Sequence, residues 1–223
     1  MIHVRRTIER PEADLIEKFR NLDVATVYEA SGRKGYIDAG IKPIAKGVRI
    51  CGPAFTVACA PADNLMLHKA LQIAEPGDVL VTVTGGESEY GYWGGMMAVS
   101  GLSRKLGGLA IDGCIRDSAE IIRMGFPLFC RGFSIRGTTK NVLGLINYPV
   151  NFGRMSIFPG DLILGDDDGM VVVRREECRE VLEKSLKRIE SEKEKSKQLQ
   201  NGISSVELNK LQPVFELLGL VEE

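Results

Sequence analysis

The strongest constraint on the fold of this 223-residue chain is an alternation of short apolar runs with helix-forming segments. The apolar runs occupy residues 48–60, 78–83, 109–111 and 127–130, and the first two are rich in β-branched side chains. Segments 63–73, 92–106 and 117–124 lie between these runs and have helical composition. Continuous apolar strands separated by helices are typical of a parallel sheet that is buried on both faces. The chain is therefore predicted to be an α/β protein.

The segments on either side of this alternation extend the prediction. Residues 10–31 have apolar positions at roughly helical spacing, which indicates one or two helices. Residues 161–173 read as two short strands around the turn Asp166-Asp167-Asp168-Gly169. Three neighbouring carboxylates also suggest a metal site, but their spacing fits no calcium-binding loop. A tight turn, with Gly169 at positive φ, is the preferred interpretation.

The composition changes after Arg174. Glu, Lys, Arg and Leu dominate residues 176–200, and an apolar stripe runs from Cys178 to Ile189, which predicts one long amphipathic helix. A second amphipathic piece covers residues 205–218. Beyond Ile189 the stripe fades, so this part is expected to stand in solvent or to lie on another subunit. We therefore divide the chain into an α/β core, residues 1–174, and a helical extension, residues 175–223.

Charge and cysteine usage exclude several classes of protein. The formal net charge is -1 and basic residues are spread along the chain, so a nucleic-acid partner is not expected. The five cysteines have no CxxC spacing, which argues against a disulfide framework and a zinc ribbon. No apolar signal region and no stretch of membrane-spanning length are visible. A cytoplasmic protein that binds no membrane is expected.

The segment around Arg116 and Asp117 is the first candidate for chemistry. It has the order strand, Gly113 turn, Arg-Asp pair, helix, and open α/β sheets bind ligands at such carboxyl ends of strands. A purely structural ion pair is an equally good explanation of the pair alone. A glycine-rich stretch, residues 85–95, leads into the next predicted helix, where bare backbone amides could receive a carboxylate or a phosphate. By itself that stretch could equally be a flexible loop.

Other candidate residues give weaker signals. Asn64 and His68 are four residues apart and share one helix face, although a surface histidine is slightly preferred. No lysine lies in an apolar run that would lower its pKa, so no Schiff-base residue is apparent. Cys114 has no neighbouring histidine in the sequence and is interpreted as a small buried side chain.

Three strings, GGLAIDGCIRD, GFPLFCRGFS and FPGDLILGDDDGMVVVRREE, resemble the superfamily that includes the regulator of ribonuclease activity A and the class II pyruvate aldolases. LDVATVYEASGRKG, ADNLMLHKAL and the charged C-terminal helix resemble its 4-hydroxy-4-methyl-2-oxoglutarate/4-carboxy-4-hydroxy-2-oxoadipate aldolase branch. The resemblance covers nearly the whole chain. It implies an α/β/α sandwich core with a C-terminal helical extension, assembly into trimers or hexamers, and Mg²⁺ or Mn²⁺ at the subunit boundary.

The resemblance also implies roles for individual residues. Arg116 and Asp117 match the catalytic Arg-Asp pair, and Asp117 resembles the metal ligand. Glu192 resembles an acid contributed by a neighbouring subunit. The implied substrate-binding positions are Asn64, His68, Gly94, Gly95, Met96 and Met97. Gly95 departs from the pattern, because the family usually has an acidic residue there that holds a metal-bound water. Glu87 or Glu89 from the same stretch could replace that residue.

The implied activity is divalent-metal-dependent cleavage of a 4-hydroxy-2-oxo acid to pyruvate and a second keto acid. In that reaction the metal acts as a Lewis acid on the pyruvyl group and Arg116 adds positive charge to the developing oxyanion. Oxaloacetate decarboxylation should accompany it. The alternatives are a non-catalytic regulator that binds a ribonuclease, and a related 2-oxo acid decarboxylase or lyase.

Overall fold

A computed structural model describes residues 2–223. The strands are β1 (Lys42–Pro43), β2 (Ile50–Ala58), β3 (Val79–Val83), β4 (Gly108–Asp112), β5 (Cys114–Ile115), β6 (Leu128–Cys130), β7 (Gly132–Phe133), β8 (Leu145–Ile146), β9 (Val150–Phe152), β10 (Met155–Ile157), β11 (Leu162–Gly165) and β12 (Met170–Val173). The helices are α1 (Ala13–Phe19), α2 (Val24–Ala30), α3 (Leu65–Ile73), α4 (Gly95–Ser103), α5 (Ser118–Met124), α6 (Cys178–Gln200), α7 (Ser205–Leu208) and α8 (Gln212–Leu217).

The main sheet has the strand order β1-β6-β4-β3-β2-β11-β12, with β8 also paired to β2. Strands β2, β3, β4 and β6 are parallel, whereas β1, β8, β11 and β12 run antiparallel to their neighbours. The parallel strands are the four apolar runs of the sequence, and α3, α4 and α5 connect them. Their carboxyl ends therefore meet at one edge of the sheet, where loops can form a site.

Both faces of the sheet are covered, which confirms the α/β/α prediction. Helices α3, α4 and α5 bury one face, with Trp93 stacked on Phe126 at a ring-centroid distance of 5.5 Å. The β9–β10 hairpin and the segment around Ile37 and Ile41 cover the middle of the other face. Helices α1, α2 and α6 pack on β11 and β12. Each parallel strand is thus shielded from water on both sides.

The first half of α6 is anchored to its own chain. Cys178, Val181, Leu182 and Ser185 are buried in the cluster formed with α1, α2, β11 and β12. From Leu186 onward most of the helix is exposed, so packing of the extension on a neighbouring subunit stays a prediction. The predicted second amphipathic piece divides into α7 and α8. Among the described residues 2–223, none of the helices has the length and apolar character that crossing a membrane would require.

The acidic triplet forms a turn, as preferred. The two carboxylate oxygens of Asp166 accept hydrogen bonds from the Val24 N–H at 2.9 Å and the Asp168 N–H at 3.0 Å. Asp167 accepts one from the Gly47 N–H at 2.7 Å. Gly169 has φ +153°, a conformation that favours glycine. These carboxylates tie α2 and the residue 47 turn to the sheet.

Candidate active site

A cavity of about 270 Å³ lies where the carboxyl ends of β3 and β4 meet the N-termini of α3, α4 and α5. Most of the residues predicted to form a site line this cavity: Asn64, His68, Gly94, Met96, Met97, Arg116 and Asp117. Gly95 lies directly behind the wall and donates its N–H to Asp117 Oδ2 at 3.0 Å. The structure therefore places the Arg-Asp pair and the glycine-rich stretch in one site.

Asp117 has a strained backbone. Its φ of 59° and ψ of 32° are in the left-handed region, which costs a non-glycine residue roughly 1 kcal/mol or more. It precedes α5, but its side chain makes no capping hydrogen bond to that helix; the carboxylate turns toward α4 instead. The side chain is 45% exposed, so part of the carboxylate is open to a ligand. Such strain is common at functional sites.

Arg116 lies beside this carboxylate, with 3.8 Å between its Nε and Asp117 Oδ2. Its own N–H is held by the Trp93 carbonyl at 2.9 Å, which fixes the backbone against the buried aromatic cluster. An ion pair this long and half exposed stabilises a fold by at most about 1 kcal/mol. The small contribution of this ion pair therefore does not account for the strained backbone of Asp117. The Arg116 guanidinium is available to an anion in the cavity.

Two glycines allow the charged side chains to approach α4. A Cβ on Gly94 would lie 2.7 Å from Asp117 Oδ2 and 3.3 Å from Arg116 Nε. A Cβ on Gly95 would overlap Glu120 Oε2 and lie 2.8 Å from Glu120 Cδ. Because Gly94 precedes α4 and Gly95 begins it, the first turn of this helix lies next to Arg116. The Gly95 N–H is taken by Asp117 and the Met97 N–H by the Gly94 carbonyl, whereas the Gly94 and Met96 N–H groups make no hydrogen bond within residues 2–223. Helix N-termini favour carboxylates and phosphates.

Glu120 does not line the cavity but lies against Gly95 at its edge, and the sequence reasoning did not consider it. Its carboxylate occupies the space that a side chain at position 95 would fill, so an acidic group is present there although position 95 is glycine. Glu120 follows Asp117 by one helical turn, and this spacing was a readable signal. Glu87 and Glu89 do not line the cavity; their main-chain carbonyls accept hydrogen bonds from the hydroxyls of Tyr92 and Ser134.

The loop at residues 137–140 also lines the cavity, which the sequence did not indicate. Thr138 and Lys140 line the cavity together with His68. Burial lowers the pKa of His68 below its ordinary value of 6.5, and the nearby charge of Lys140 lowers it further. Two cationic side chains, Arg116 and Lys140, therefore line the cavity, which suits a ligand with acidic groups.

Glu192 lies outside this cavity in its own chain. It is on the exposed half of α6 and pairs with Arg188 at 2.8 Å. Its predicted role depends on a neighbouring copy and stays a prediction.

The carboxylate oxygens around Asp117 are of the kind that a hard divalent cation binds. Residues 2–223 contain no group of three or more His, Cys, Asp and Glu side chains that could enclose an ion. Mg²⁺ and Mn²⁺ need no such cage, because one or two carboxylates and several waters satisfy them. Asp117, with Glu120 next to Gly95, provides that number of carboxylates.

The fold and this cavity define a class: α/β/α proteins with a cavity at the carboxyl ends of their parallel strands. The sequence model of the RraA-like family, described as Aldolase/RraA, matches residues 13–172, and the chain belongs to this family.

Relatives agree with that membership. A Halalkalibacterium halodurans protein named "Putative 4-hydroxy-4-methyl-2-oxoglutarate aldolase" is 33% identical over 201 residues, 89% of this chain and 95% of that protein. A solved structure from Pseudomonas syringae, described as an uncharacterized protein, has a TM-score of 0.79 at 26% identity and covers 91% of this chain and 98% of that one. Streptomyces coelicolor RraAS2, described as an unusual member of the RNase ES inhibitor RraA family, has a TM-score of 0.75 at 27% identity and covers 84% and 98%.

Proposed function

We propose that this protein is a divalent-metal-dependent lyase that cleaves a 4-hydroxy-2-oxo di- or tricarboxylic acid to pyruvate and a second keto acid. Oxaloacetate decarboxylation is proposed as a side activity, because it passes through the same pyruvate enolate. The observation that carries the proposal is the geometry of Asp117: a half-open carboxylate on strained backbone, beside Arg116, at the strand ends. The name of the Halalkalibacterium halodurans relative supports the same chemistry.

Each part of the cavity would have a task in this reaction. The amides at the start of α4 would hold the pyruvyl carboxylate, with the helix dipole assisting. Arg116 would donate hydrogen bonds to the oxyanion that develops on the 2-keto group, where a fixed charge in a sheltered site has its largest effect. Lys140 and His68 would face the distal part of the substrate.

Asp117 would hold the metal, and Glu120 would supply a second carboxylate next to it. When bound, Mg²⁺ or Mn²⁺ would supply Lewis acidity to the keto acid. The resemblance adds Glu192 of the partner subunit as a further acidic group. No lysine is assigned to covalent catalysis; Lys140, which lines the cavity, is exposed.

A second candidate is a binding regulator, which the description of the Streptomyces coelicolor relative suggests. Gly95 initially favours it, because the expected acidic residue is missing from α4. The position of Glu120 weakens that argument. A related decarboxylase that acts on acids without the 4-hydroxyl is a third candidate.

Pyruvate release from a panel of 2-oxo acids separates these candidates. The panel includes 4-hydroxy-2-oxo diacids and oxaloacetate, each assayed with Mg²⁺, Mn²⁺ or EDTA. We expect metal-dependent release from both kinds of acid, abolished by EDTA, with no lysine adduct trapped by borohydride. Release from oxaloacetate alone would favour a decarboxylase. No release from any acid would favour the regulator.

The Arg-Asp pair provides the sharpest test of this function. Arg116→Ala should lower the turnover of cleavage and decarboxylation by similar factors, because one intermediate serves both reactions. Oxyanion donors are typically worth roughly 3–4 kcal/mol, so a loss of about a hundredfold or more is expected. No metal concentration should rescue this variant.

Asp117→Asn is the matched change at the metal position. Asparagine tolerates the left-handed backbone and can still accept the Gly95 N–H, so the fold should be retained. The metal requirement should rise steeply, and high Mn²⁺ should restore part of the rate. Near-normal pyruvate release from both variants would show that the pair is only structural.

A further inference from the structure

We propose that the active-site cavity continues into a groove between α3 and α4, where Arg104 binds a second carboxylate at the far end of a long acid. The ligand class is then a 2-oxo acid whose chain ends in a carboxylate beyond an apolar spacer. This inference rests on the proposed function, because the first acid group is the 2-oxo carboxylate held beside Arg116. It concerns binding, so it can be tested without turnover.

The α3–α4 groove adjoins the active-site cavity. It has a volume of about 330 Å³ and is lined by His68, Leu71, Gln72, Met96, Met97, Ser100 and Arg104. Three of these residues, His68, Met96 and Met97, also line the active-site cavity. Met96 is 81% exposed, and an exposed methionine side chain changes its rotamer readily, so the shared wall is not a fixed barrier. The two spaces therefore meet at the start of α4.

The groove follows the length of the two helices. Met96, Ser100 and Arg104 are each four residues apart, on α4 and just beyond its end, so they share one face of that helix. His68 and Gln72 have the same spacing on α3. The distance from Met96 to Arg104 along the helix axis is roughly 12 Å at the usual rise per residue. A ligand that occupies both spaces is therefore an extended molecule.

Arg104 is a partly buried cation without an acidic partner. Within residues 2–223 five arginines are partly buried, and four of them pair with a carboxylate: Arg10, Arg174, Arg175 and Arg188. Arg104 is the fifth, and it takes part in none of the ion pairs of those residues. Removing a cation from water without a counter-charge costs free energy, which an anion in the groove would offset.

A structural role explains only part of this side chain. Its Nη2 donates to the Ala74 carbonyl at 3.1 Å, at the C-terminus of α3, where a cation is favoured. Its Nε is enclosed by the protein and has no hydrogen-bond partner. Nη1 also makes no hydrogen bond within residues 2–223, but it is not enclosed. Nη1 is therefore the atom that we assign to the ligand.

The rest of the groove suits an aliphatic spacer. Within the described part of the chain no acidic residue lines the groove, so nothing in it repels a carboxylate. Leu71, Met96 and Met97 present apolar surface along it, which favours methylene groups over polar ones. A cation at the end of an apolar groove is complementary to a carboxylate on an aliphatic chain.

Two pairs of acids isolate this contact: 2-oxodecanedioate with 2-oxodecanoate, and 2-oxohexanedioate with 2-oxohexanoate. Each pair differs only in the terminal carboxylate. None of the four acids has a 4-hydroxyl or a carboxyl group on C3, so they undergo neither retro-aldol cleavage nor decarboxylation. Their dissociation constants are measured by isothermal titration calorimetry with excess Mg²⁺. We expect the wild-type protein to bind 2-oxodecanedioate about tenfold more tightly than 2-oxodecanoate, the effect of one charge-assisted hydrogen bond.

Arg104→Met should abolish the tenfold preference in the ten-carbon pair and leave the ratio in the six-carbon pair unchanged, because the shorter chain does not reach position 104. Arg123→Met is the matched control, since it makes the same change at an exposed arginine of α5 that lines neither space. It should keep the preference. If Arg104→Met does not fold, Arg104→Gln retains a donor for the Ala74 carbonyl without the charge, and it should lose the preference as well.

Several results would overturn the inference: equal binding of the ten-carbon pair by the wild-type protein, a preference that survives the loss of the Arg104 charge, an equal loss in Arg123→Met, or no binding of any of the four acids. The lyase proposal has a separate readout. A preference that depends on Arg104, in a protein that releases no pyruvate from any acid, would refute the lyase and leave the groove assignment standing. Pyruvate release without the preference would do the reverse.

Discussion

Gly95 at the start of α4 and the Glu120 side chain of α5 lie next to each other, although they belong to different helices. The Glu120 carboxylate fills the volume beside Gly95, so only one acidic group fits there. Under the proposed function, Glu120→Ala should lower pyruvate release by at least tenfold and raise the Mg²⁺ concentration required, since it removes a carboxylate next to Asp117. Metal-titrated pyruvate assays measure both effects.

A double variant serves as the control for this prediction. Gly95→Asp alone should be impaired, because its side chain would overlap Glu120. Gly95→Asp combined with Glu120→Ala moves the carboxylate from α5 to α4 and should recover part of the activity. Near-normal activity of Glu120→Ala would show that this carboxylate has no part in the reaction.

His68 should titrate below its ordinary range. Burial is the larger cause of its lowered pKa and the Lys140 charge is the smaller one. At pH values between the folded-state pKa and 6.5, His68 binds a proton more readily in the unfolded chain than in the folded protein. The free energy of unfolding should therefore decrease as the pH falls through this range. Above pH 7 the residue should have no such effect.

Proton NMR can follow this titration directly, because the chain has only two histidines. Lys140→Met should raise the pKa of His68 without restoring it to 6.5, since burial persists. An unchanged midpoint in Lys140→Met would contradict the assigned contribution of Lys140, and a wild-type midpoint at 6.5 or above would contradict the burial.

At this scale, the sequence predicted residues that have a local signal. Arg116 and Asp117 are recognisable because strand, turn and helix follow one another along the chain. Glu120 was missed because its relation to Gly95 exists only once α4 and α5 are side by side. Thr138 and Lys140 were missed because they lie in a loop without periodicity, which long-range contacts hold in place.

The element that positions Thr138 and Lys140 is held by one buried carboxylate. Asp63 is 1% exposed; its Oδ2 accepts the Asn141 N–H at 2.6 Å and the Thr139 hydroxyl at 2.7 Å, and its Oδ1 accepts the Leu65 N–H at 2.9 Å. Asp63→Asn replaces one acceptor oxygen by an NH₂ donor, so this loop should loosen. Amide hydrogen exchange at residues 139–142 should become faster, by tenfold or more.

Asp38→Asn is a control for this change. Asp38 also bonds a main-chain N–H, that of Gly40 at 2.7 Å, but on a different loop. Its replacement should leave exchange at residues 139–142 unchanged. The prediction for Asp63 fails if exchange there is as slow as in the wild-type protein.

The sequence predicted the long elements well and their ends less well. Strand β2 continues through Gly52 and Pro53, which pair with β11, although glycine and proline are unusual inside a strand. Helix α4 begins later than predicted because Tyr92 and Trp93 are fully buried before it. The short strands between residues 132 and 157 were not predicted, since two or three residues carry too little periodicity and depend on tertiary pairing.

At the scale of the whole molecule, the C-terminal extension exposes apolar side chains. Leu217, Leu218 and Val221 are 85%, 77% and 87% exposed, and Glu192 stands on the exposed half of α6. Under the proposed function this surface contacts a second copy and brings Glu192 of the partner subunit to the active site. Sedimentation should therefore show a trimer or hexamer, and Glu192→Gln should lower activity without dissociating it.

Mixed oligomers test whether the site is shared. Glu192→Gln and Arg116→Ala protomers, each impaired alone, should recover activity when they are mixed and reassembled, because some sites then combine an intact Arg116 with an intact Glu192. The control is a mixture of Arg116→Ala with Asp117→Asn. Arg116 and Asp117 of one site come from the same chain, because both line one cavity. Every site in this mixture therefore lacks one of the two residues, so no recovery is expected. A fully active monomer would contradict the shared site.

The closeness of Arg116, Asp117 and Glu120 along the chain has an evolutionary consequence. Residues 116–120 carry these charged groups in one short peptide, so a single local exchange of sequence could transfer or delete them together. An acid at position 95 would instead have to change in step with a distant segment. If the Glu120 predictions hold, mutations within residues 116–120 alone can add or remove the activity in descendants of this chain. The rest of the fold can change in sequence independently.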